Sequence, residues 1–262
     1  MAIGNTSYED FVRQIKHKTG LDLSLYKQEQ MKRRLHGSME RSGVKDYGEY
    51  LSLIERDSQV KQIFMDRLTI NVSELFRNPE HFKTLGSKVI PTLLEKSRRK
   101  IKMWSAGCSY GAEAVSLAIL ATECAPAATV EVIATDIDET ILKKAAQGEF
   151  ADPDMKNVSS ECRQKWFTNH AGIWKAKPEV MSRIHFQKHN LLADSAPGIF
   201  DLVVCRNVVI YFSDSAKEHV NRLLVGSLRP GGSLFIGGTE RIPDYEKLGL
   251  INPIPFFYFK PG

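Results

Sequence analysis

The sequence predicts an α/β fold: a doubly wound, mostly parallel sheet that follows an all-helical N-terminal domain and carries a small antiparallel β insertion. Three observations predict it. Apolar residues recur at helical spacing through the first hundred residues. From residue 100 onward short apolar strands alternate with helices, which requires right-handed crossovers between parallel strands. Residues 148–190 break that rhythm with loop and strand signals of their own. The expected division is a helical domain over 1–80 and an α/β domain over 81–262, with the insertion at 148–190.

Taken in order, Tyr8, Phe11, Val12 and Ile15 share one helix face after a Thr6/Ser7 cap, and Gly20 ends that helix. A basic helix runs through Lys27, Met31, Arg34 and Leu35 to about Gly43. Asp46 caps a third helix with Tyr47, Tyr50, Leu51 and Ile54 on one face; Val60, Ile63, Phe64 and Leu68 make a fourth. Asn78-Pro79-Glu80 reads as a helix start, with a cap residue, a proline at the first position and an acid at the positive end of the dipole. Strand Ile101–Ser105, helix 111–124, strand Thr129–Thr135 and helix 138–147 follow. Beyond the insertion come strand Phe200–Cys205, helix 214–228 and strand 233–237. Within the insertion, Pro153 and Asn157 mark a loop, Ser159–Phe167 a short helix, and Trp174 and 183–189 strand material.

Composition bounds the function. With 42% hydrophobic and 26% charged residues the chain is that of an ordinary globular protein, which excludes disorder. No apolar run reaches the ~20 residues needed to cross a bilayer, and the N-terminus lacks a signal peptide's basic start and apolar stretch, so the expected location is cytoplasmic. Cys108, Cys124, Cys162 and Cys205 form no C-x-x-C pair and the seven histidines form no ligand pattern, so no metal is expected. The net charge of +5 is concentrated: residues 13–45 hold nine Lys/Arg against three acids. That stretch is either a solvated helix face or a docking surface for an acidic partner.

Ser105-Ala106-Gly107-Cys108-Ser109-Tyr110-Gly111 follows a strand and opens a helix, where glycine lets backbone approach a ligand. Strand Val130–Ile133 runs into Ala134-Thr135-Asp136, and a carboxylate at that strand end is placed to accept both hydroxyls of a ribose. Asp138 is read as the cap of the next helix. Glu113, in the helix's first turn, is stabilised by the dipole and suited to a cationic ligand group. Leu228-Arg229-Pro230-Gly231-Gly232-Ser233 is a turn entering a late strand. Loop, acidic strand end and Pro-Gly-Gly turn, in this order, resemble the class I methyltransferases, whose doubly wound sheet has seven strands. The implied cofactor is S-adenosylmethionine, with S-adenosylhomocysteine as product.

Two further segments, Asn71-Val72-Ser73-Glu74-Leu75-Phe76-Arg77 and Cys205-Arg206-Asn207-Val208-Val209-Ile210-Tyr211-Phe212, resemble signatures of the CheR family of chemotaxis receptor methyltransferases, as do Ala134–Asp138 and Asn190-Leu191-Leu192. The resemblance covers nearly the whole chain. It implies transfer of a methyl group to glutamate side chains on cytoplasmic helices of chemoreceptors. It also implies that Asn71, Ser73 and Arg77 contact the cofactor, that Gly107, Glu113, Asp136, Asn190, Leu191, Arg206, Asn207 and Val208 complete its pocket, and that Arg77 faces the reacting centre. Tyr211 either faces the acceptor or is a strand tyrosine anchored by its hydroxyl. Departures from the family pattern are Ser73 for threonine, Leu75 for phenylalanine, and Gly111-Ala112-Glu113-Ala114 where Gly-Glu-Glu-Pro is usual.

A glutamate acceptor is already ionised at neutral pH, so the reaction needs positioning and desolvation in place of a general base. Lys32, Arg33, Arg34 and Arg41 on the basic helix are the candidate docking residues for acidic receptor helices. The insertion is short on glycine around Asn169–Met181, which argues against tethering to a receptor tail there. A nucleic-acid methyltransferase is the main rival. It is disfavoured because Arg206-Asn207-Val208-Val209 stands where an Asn/Asp-Pro-Pro-aromatic motif would be, so no nucleic-acid partner is expected. No membrane insertion is expected either, and nothing demands more than a monomer.

Overall fold

The computed structural model describes residues 6–69, 72–96 and 100–262. They divide into two compact units, Met1–Asn71 with Tyr211–Glu218, and Val72–Ile210 with His219–Gly262.

Local capping sets the helices of the first unit. Helix α1 (Tyr8–Thr19) begins where the Ser7 side chain accepts from Asp10 N and ends at Gly20, whose φ of 75° lets its N–H reach Lys16 O. Helix α2 (Gln28–Arg41) follows, and α3 (Tyr47–Arg56) is capped by Asp46, which accepts from Gly48 N and Glu49 N. Helix α4 (Ser58–Thr69) completes the set. Their apolar faces meet around Phe11, which stacks on Tyr50 at 6.2 Å and meets Phe64 edge-on at 6.3 Å. The buried Tyr50 hydroxyl shares a 2.6 Å hydrogen bond with Ser38. Ile63, expected on the apolar face of α4, is 48% exposed while Phe64 and Leu68 are buried. One residue on a helix turns the side chain by about 100°, which puts Ile63 beyond the stripe that Phe64 and Leu68 define.

The second unit opens with one continuous helical stretch: α5 (Pro79–Thr84), a π-helical turn (Leu85–Val89) and α6 (Ile90–Lys96). Then come β1 (Lys100–Ala106), α7 (Ala112–Cys124), β2 (Thr129–Asp136), α8 (Glu139–Gln147), β3 (Glu149–Ala151), α9 (Ser160–Trp166), β4 (Phe167–His170), β5 (Ile173–Ala176), α10 (Pro178–Met181), β6 (Ile184–Lys188) and β7 (Phe200–Cys205). Helix α11 (Asp214–Gly226), β8 (Leu228–Ile236), β9 (Ile251–Ile254) and β10 (Phe257–Phe259) end the chain. The main sheet has the order β6-β2-β1-β7-β8-β10-β9. Its first five strands are parallel, and β10 runs antiparallel to both β8 and β9. All six residues of β7 are buried, as a parallel strand covered on both faces requires. The chain leaves β1 in one direction and returns at β7 on its other side, so a crevice opens beyond the carboxyl ends of those two strands.

Three expectations change. The inserted antiparallel sheet, β3-β5-β4, uses only residues 149–176; β6 joins the main sheet, with Val132 beside Ile184. The Pro-Gly-Gly segment lies inside β8 as an irregularity: pairing slips between Phe200↔Leu228 and Leu202↔Ser233. A Cβ on Gly232 would lie 3.0–3.2 Å from three backbone carbonyl oxygens, so any side chain there would press on the slip. Strands β9 and β10 were not anticipated, because Asn252-Pro253 reads as a loop; the proline is tolerated because β9 is an edge strand. Among the described residues no helix is long and apolar enough to cross a membrane.

Candidate active site

The loop after β1 turns at Gly107 (φ 82°), Ser109 (φ 51°) and Gly111 (φ 90°), all left-handed. Its backbone is held against the end of β2: Gly107 N and Cys108 N both donate to Thr135 O at 2.8 Å. Asp136 completes the join, accepting from Ser109 N at 2.9 Å and from Asp138 N at 3.1 Å. Burial raises the Asp136 carboxyl, and these N–H donors oppose the rise. Each of its oxygens retains acceptor capacity beyond one N–H. The Asp138 side chain accepts from Thr140 N and Ile141 N, which makes it the cap of α8, as expected.

Arg206, at the end of β7, is 6% exposed and gathers the neighbouring elements. Its guanidinium donates to Arg77 O at 2.9 Å and to Asn78 Oδ1 at 2.7 Å, and lies 3.5 Å from Glu113 Oε2. The rings of Phe82 and Phe235 flank it at 5.6 and 4.7 Å. Burial lowers its pKa, Glu113 opposes that, and the like charge of Arg77 adds to the lowering. Burial raises the Glu113 carboxyl, against the pull of Arg206 and of a 2.8 Å hydrogen bond from Ser105 Oγ. Asn78 starts α5 as expected but makes no side-chain cap bond. A buried guanidinium needs acceptors more than an exposed helix end needs a cap, so the Asn78 oxygen serves Arg206.

The segment leading to Arg77 is pinned through its backbone. Phe76 N donates to Ser116 Oγ at 2.8 Å, and the Tyr110 hydroxyl contacts Ser73 O and Asp154 Oδ1. Arg77 itself is half-exposed; its guanidinium has a 3.2 Å bond to Val72 O and no carboxylate partner among the described residues. Asn71 lies outside the described residues. On the β2 side, His189 N donates to Asp136 O, and Asn190 Oδ1 accepts from Leu192 N, which fixes the turn that buries Leu191. Asn207 is left-handed (φ 60°), and Val208 packs on the glycine loop: a Cβ on Gly107 would meet Val208 Cγ2 at 2.5 Å.

The remaining expected residues belong to the other unit. Tyr211 ends a 3₁₀ turn (Val209–Tyr211) and is not on a strand. Its carbonyl accepts from Lys27 N at 2.9 Å, and the Arg34 guanidinium stands over its ring at 4.7 Å. Arg34 also donates to Leu68 O at 3.2 Å. Its burial lowers its pKa. Arg34 is therefore engaged within the unit and is not a free docking charge. Arg33 and Arg41 are exposed, and the Lys32 ammonium lies over the Tyr8 ring at 5.0 Å. Sequence reasoning assigned no role to Ser105, Ser116 or Glu240, all buried and polar. An acid three residues after a strand, as in Gly237–Glu240, was the one available signal.

The crevice-side residues fit a ligand with a ribose and a charged amino-acid end. Asp136 has lone pairs left for hydroxyls, and Glu113 and Arg206 offer both charges.

The family model for the CheR methyltransferase all-alpha domain matches residues 6–69, and the model for the CheR methyltransferase SAM binding domain matches 71–252. The chain is 39% identical over 253 residues to the chemotaxis protein methyltransferase of Listeria innocua, covering 97% of each. It is 33% identical to chemotaxis protein methyltransferase 1 of Pseudomonas aeruginosa, again over 97% of each chain. With the Escherichia coli chemotaxis protein methyltransferase it shares 30% identity over 94% of this chain and 88% of that one. A buried Arg206–Glu113 pair beside a glycine loop and an acidic strand end, together with matches that span both units, establish that the chain belongs to the CheR methyltransferase family and is an S-adenosylmethionine-dependent methyltransferase.

Proposed function

We propose that this enzyme methylates glutamate side-chain carboxylates on cytoplasmic helices of chemoreceptors, forming methyl esters. The names of its relatives support a chemotaxis role. The observation that carries the acceptor class is Arg77: half-exposed and without a carboxylate partner among the described residues. A guanidinium so placed attracts a carboxylate, and its planar fork holds one in a defined orientation.

The bound cofactor supplies an electrophilic methyl group on a sulfonium. The protein's part is to bind, orient and exclude water. Asp136 would take the ribose, Glu113 and Arg206 the charged amino-acid end, and the Leu191 and Val208 side chains would line the apolar part. Arg77 would orient the acceptor carboxylate. Holding the acceptor oxygen in line with the reacting carbon can supply several kcal/mol of the barrier. The arginine must not hold the attacking oxygen more tightly in the ground state than in the transition state. No thiol is needed: burial pushes the Cys108 and Cys205 thiols well above their ordinary range, which keeps both protonated. Burial lowers His81, with Arg206 adding to the effect, so that ring is neutral at neutral pH.

Transfer of labelled methyl to isolated chemoreceptor, with a structured RNA as control, tests the reading. Glutamate methyl esters hydrolyse in mild alkali and release methanol. Alkali-labile label on the receptor, lost in Arg77→Ala, is the expected result. Alkali-stable label on either substrate, or none on the receptor, would sink the assignment.

A further inference from the structure

Glu240 follows β8 in the turn Gly237-Gly238-Thr239-Glu240 and is 4% exposed. Among the described residues no lysine or arginine is bonded to its carboxylate. It accepts three backbone N–H groups instead: Gly237 N at 2.7 Å and Asn207 N at 3.0 Å on Oε2, and Val208 N at 3.2 Å on Oε1. A buried carboxylate without donors would be costly, so these three bonds define where it can sit. They also define where the end of β7 can sit. Asn207 is left-handed, a conformation that asparagine adopts more readily than other side chains, and the bond from its N–H to Glu240 holds it there. Val208, one residue on, fills the space that Gly107 leaves open. Gly237 is constrained in the same way, since a Cβ there would lie 2.5 Å from Glu240 Oε2 and 3.1 Å from Asn207 N.

We infer that Glu240 is a positioning residue for the cofactor pocket: its buried carboxylate clamps the Arg206-Asn207-Val208 turn onto the glycine loop before cofactor arrives. Arg206 and Glu240 also attract one another, which ties the clamp to the Arg206 hub. The inference rests on the family's cofactor and not on the acceptor proposed above.

The isosteric Glu240→Gln variant tests it. A glutamine presents N–H donors where the backbone also presents donors, so it cannot satisfy all three groups. Two readouts are used, neither with a methyl acceptor: calorimetric affinity for S-adenosylhomocysteine, and amide hydrogen exchange of the cofactor-free protein. The expected result is a Kd raised at least tenfold, with exchange at Asn207, Val208 and Gly237 accelerated at least tenfold. A wild-type Kd would overturn the inference, whether exchange at those amides accelerates or not, since a purely structural role moves melting temperature and exchange without moving affinity. Should the variant not fold, the wild-type protein decides. The inference requires these three amides to be protected without cofactor as strongly as those of Val203 and Val204 in β7. Free exchange until S-adenosylhomocysteine is added would overturn it.

Discussion

The guanidinium of Arg34 stands 4.7 Å from the centroid of the Tyr211 ring and donates to Leu68 O at 3.2 Å, so one side chain of α2 holds both the residue expected to face the acceptor and the end of α4. The basic helix thus has an inward role as well as a charged outer surface.

Arg34→Ala should lower kcat/KM for methyl transfer by about 2- to 30-fold, the equivalent of roughly 0.5–2 kcal/mol for a cation–π contact of this exposure. Arg34→Lys should recover part of the loss, whereas Arg41→Ala should alter chiefly the salt dependence of KM. Steady-state kinetics at two ionic strengths checks this, and equal effects of the Arg34 and Arg41 changes would refute the inward role.

Gly107→Ala should destabilise the protein by about 2–4 kcal/mol, from the added Cβ striking Val208 Cγ2 and from its left-handed backbone. Adding Val208→Ala should return the part due to the clash. Denaturant melts of the two single variants and the double variant would reveal strict additivity if the contact were unimportant.

Asp136 has its carboxyl raised by burial. Between its unfolded value near 4 and that raised folded value, the folded state binds more protons than the unfolded state. This group's contribution therefore favours folding as pH falls through the window and is lost as pH rises. Cofactor affinity runs the other way, because a protonated carboxyl loses acceptors for a ribose. Affinity for S-adenosylhomocysteine should weaken as pH is lowered into that window, above the ordinary carboxylate range. Calorimetry from neutral pH down through the ordinary carboxylate range checks it; an affinity that stays flat throughout the range in which the protein remains folded would remove Asp136 from the pocket.

Iodoacetamide at pH 8 should label the exposed Cys124 in the native protein and spare Cys108 and Cys205 until denaturant is added. Cys162, pushed up to about 12 by burial, should label slowly. Peptide mass spectrometry reads all four sites. Native labelling of Cys108 would mean that the glycine loop opens far more than its hydrogen bonds allow.

What the sequence determined by itself lies within a few residues of its own signal. Ser7, Asp46 and Asp138 cap the helices they precede because each side chain reaches an N–H two or three residues on. The glycine loop, the Asp136 strand end and the alternation of strands and helices were legible for the same reason, since periodicity and turn chemistry are local. Of the residues that the family motifs pointed to, Asp136 ends β2, Arg206 follows β7, and Glu113 lies against Arg206. Only the tertiary structure decided which distant group each buried polar side chain serves. It turned Asn78 from a helix cap to an acceptor for Arg206, drew Arg34 inward onto Tyr211, and set Glu240 beneath the backbone of Asn207 and Val208. It also moved β6 from the insertion to the main sheet. The reason is common to all four: a polar group or strand edge removed from water must find its partner wherever packing brings one, and that choice leaves no periodic trace along the chain.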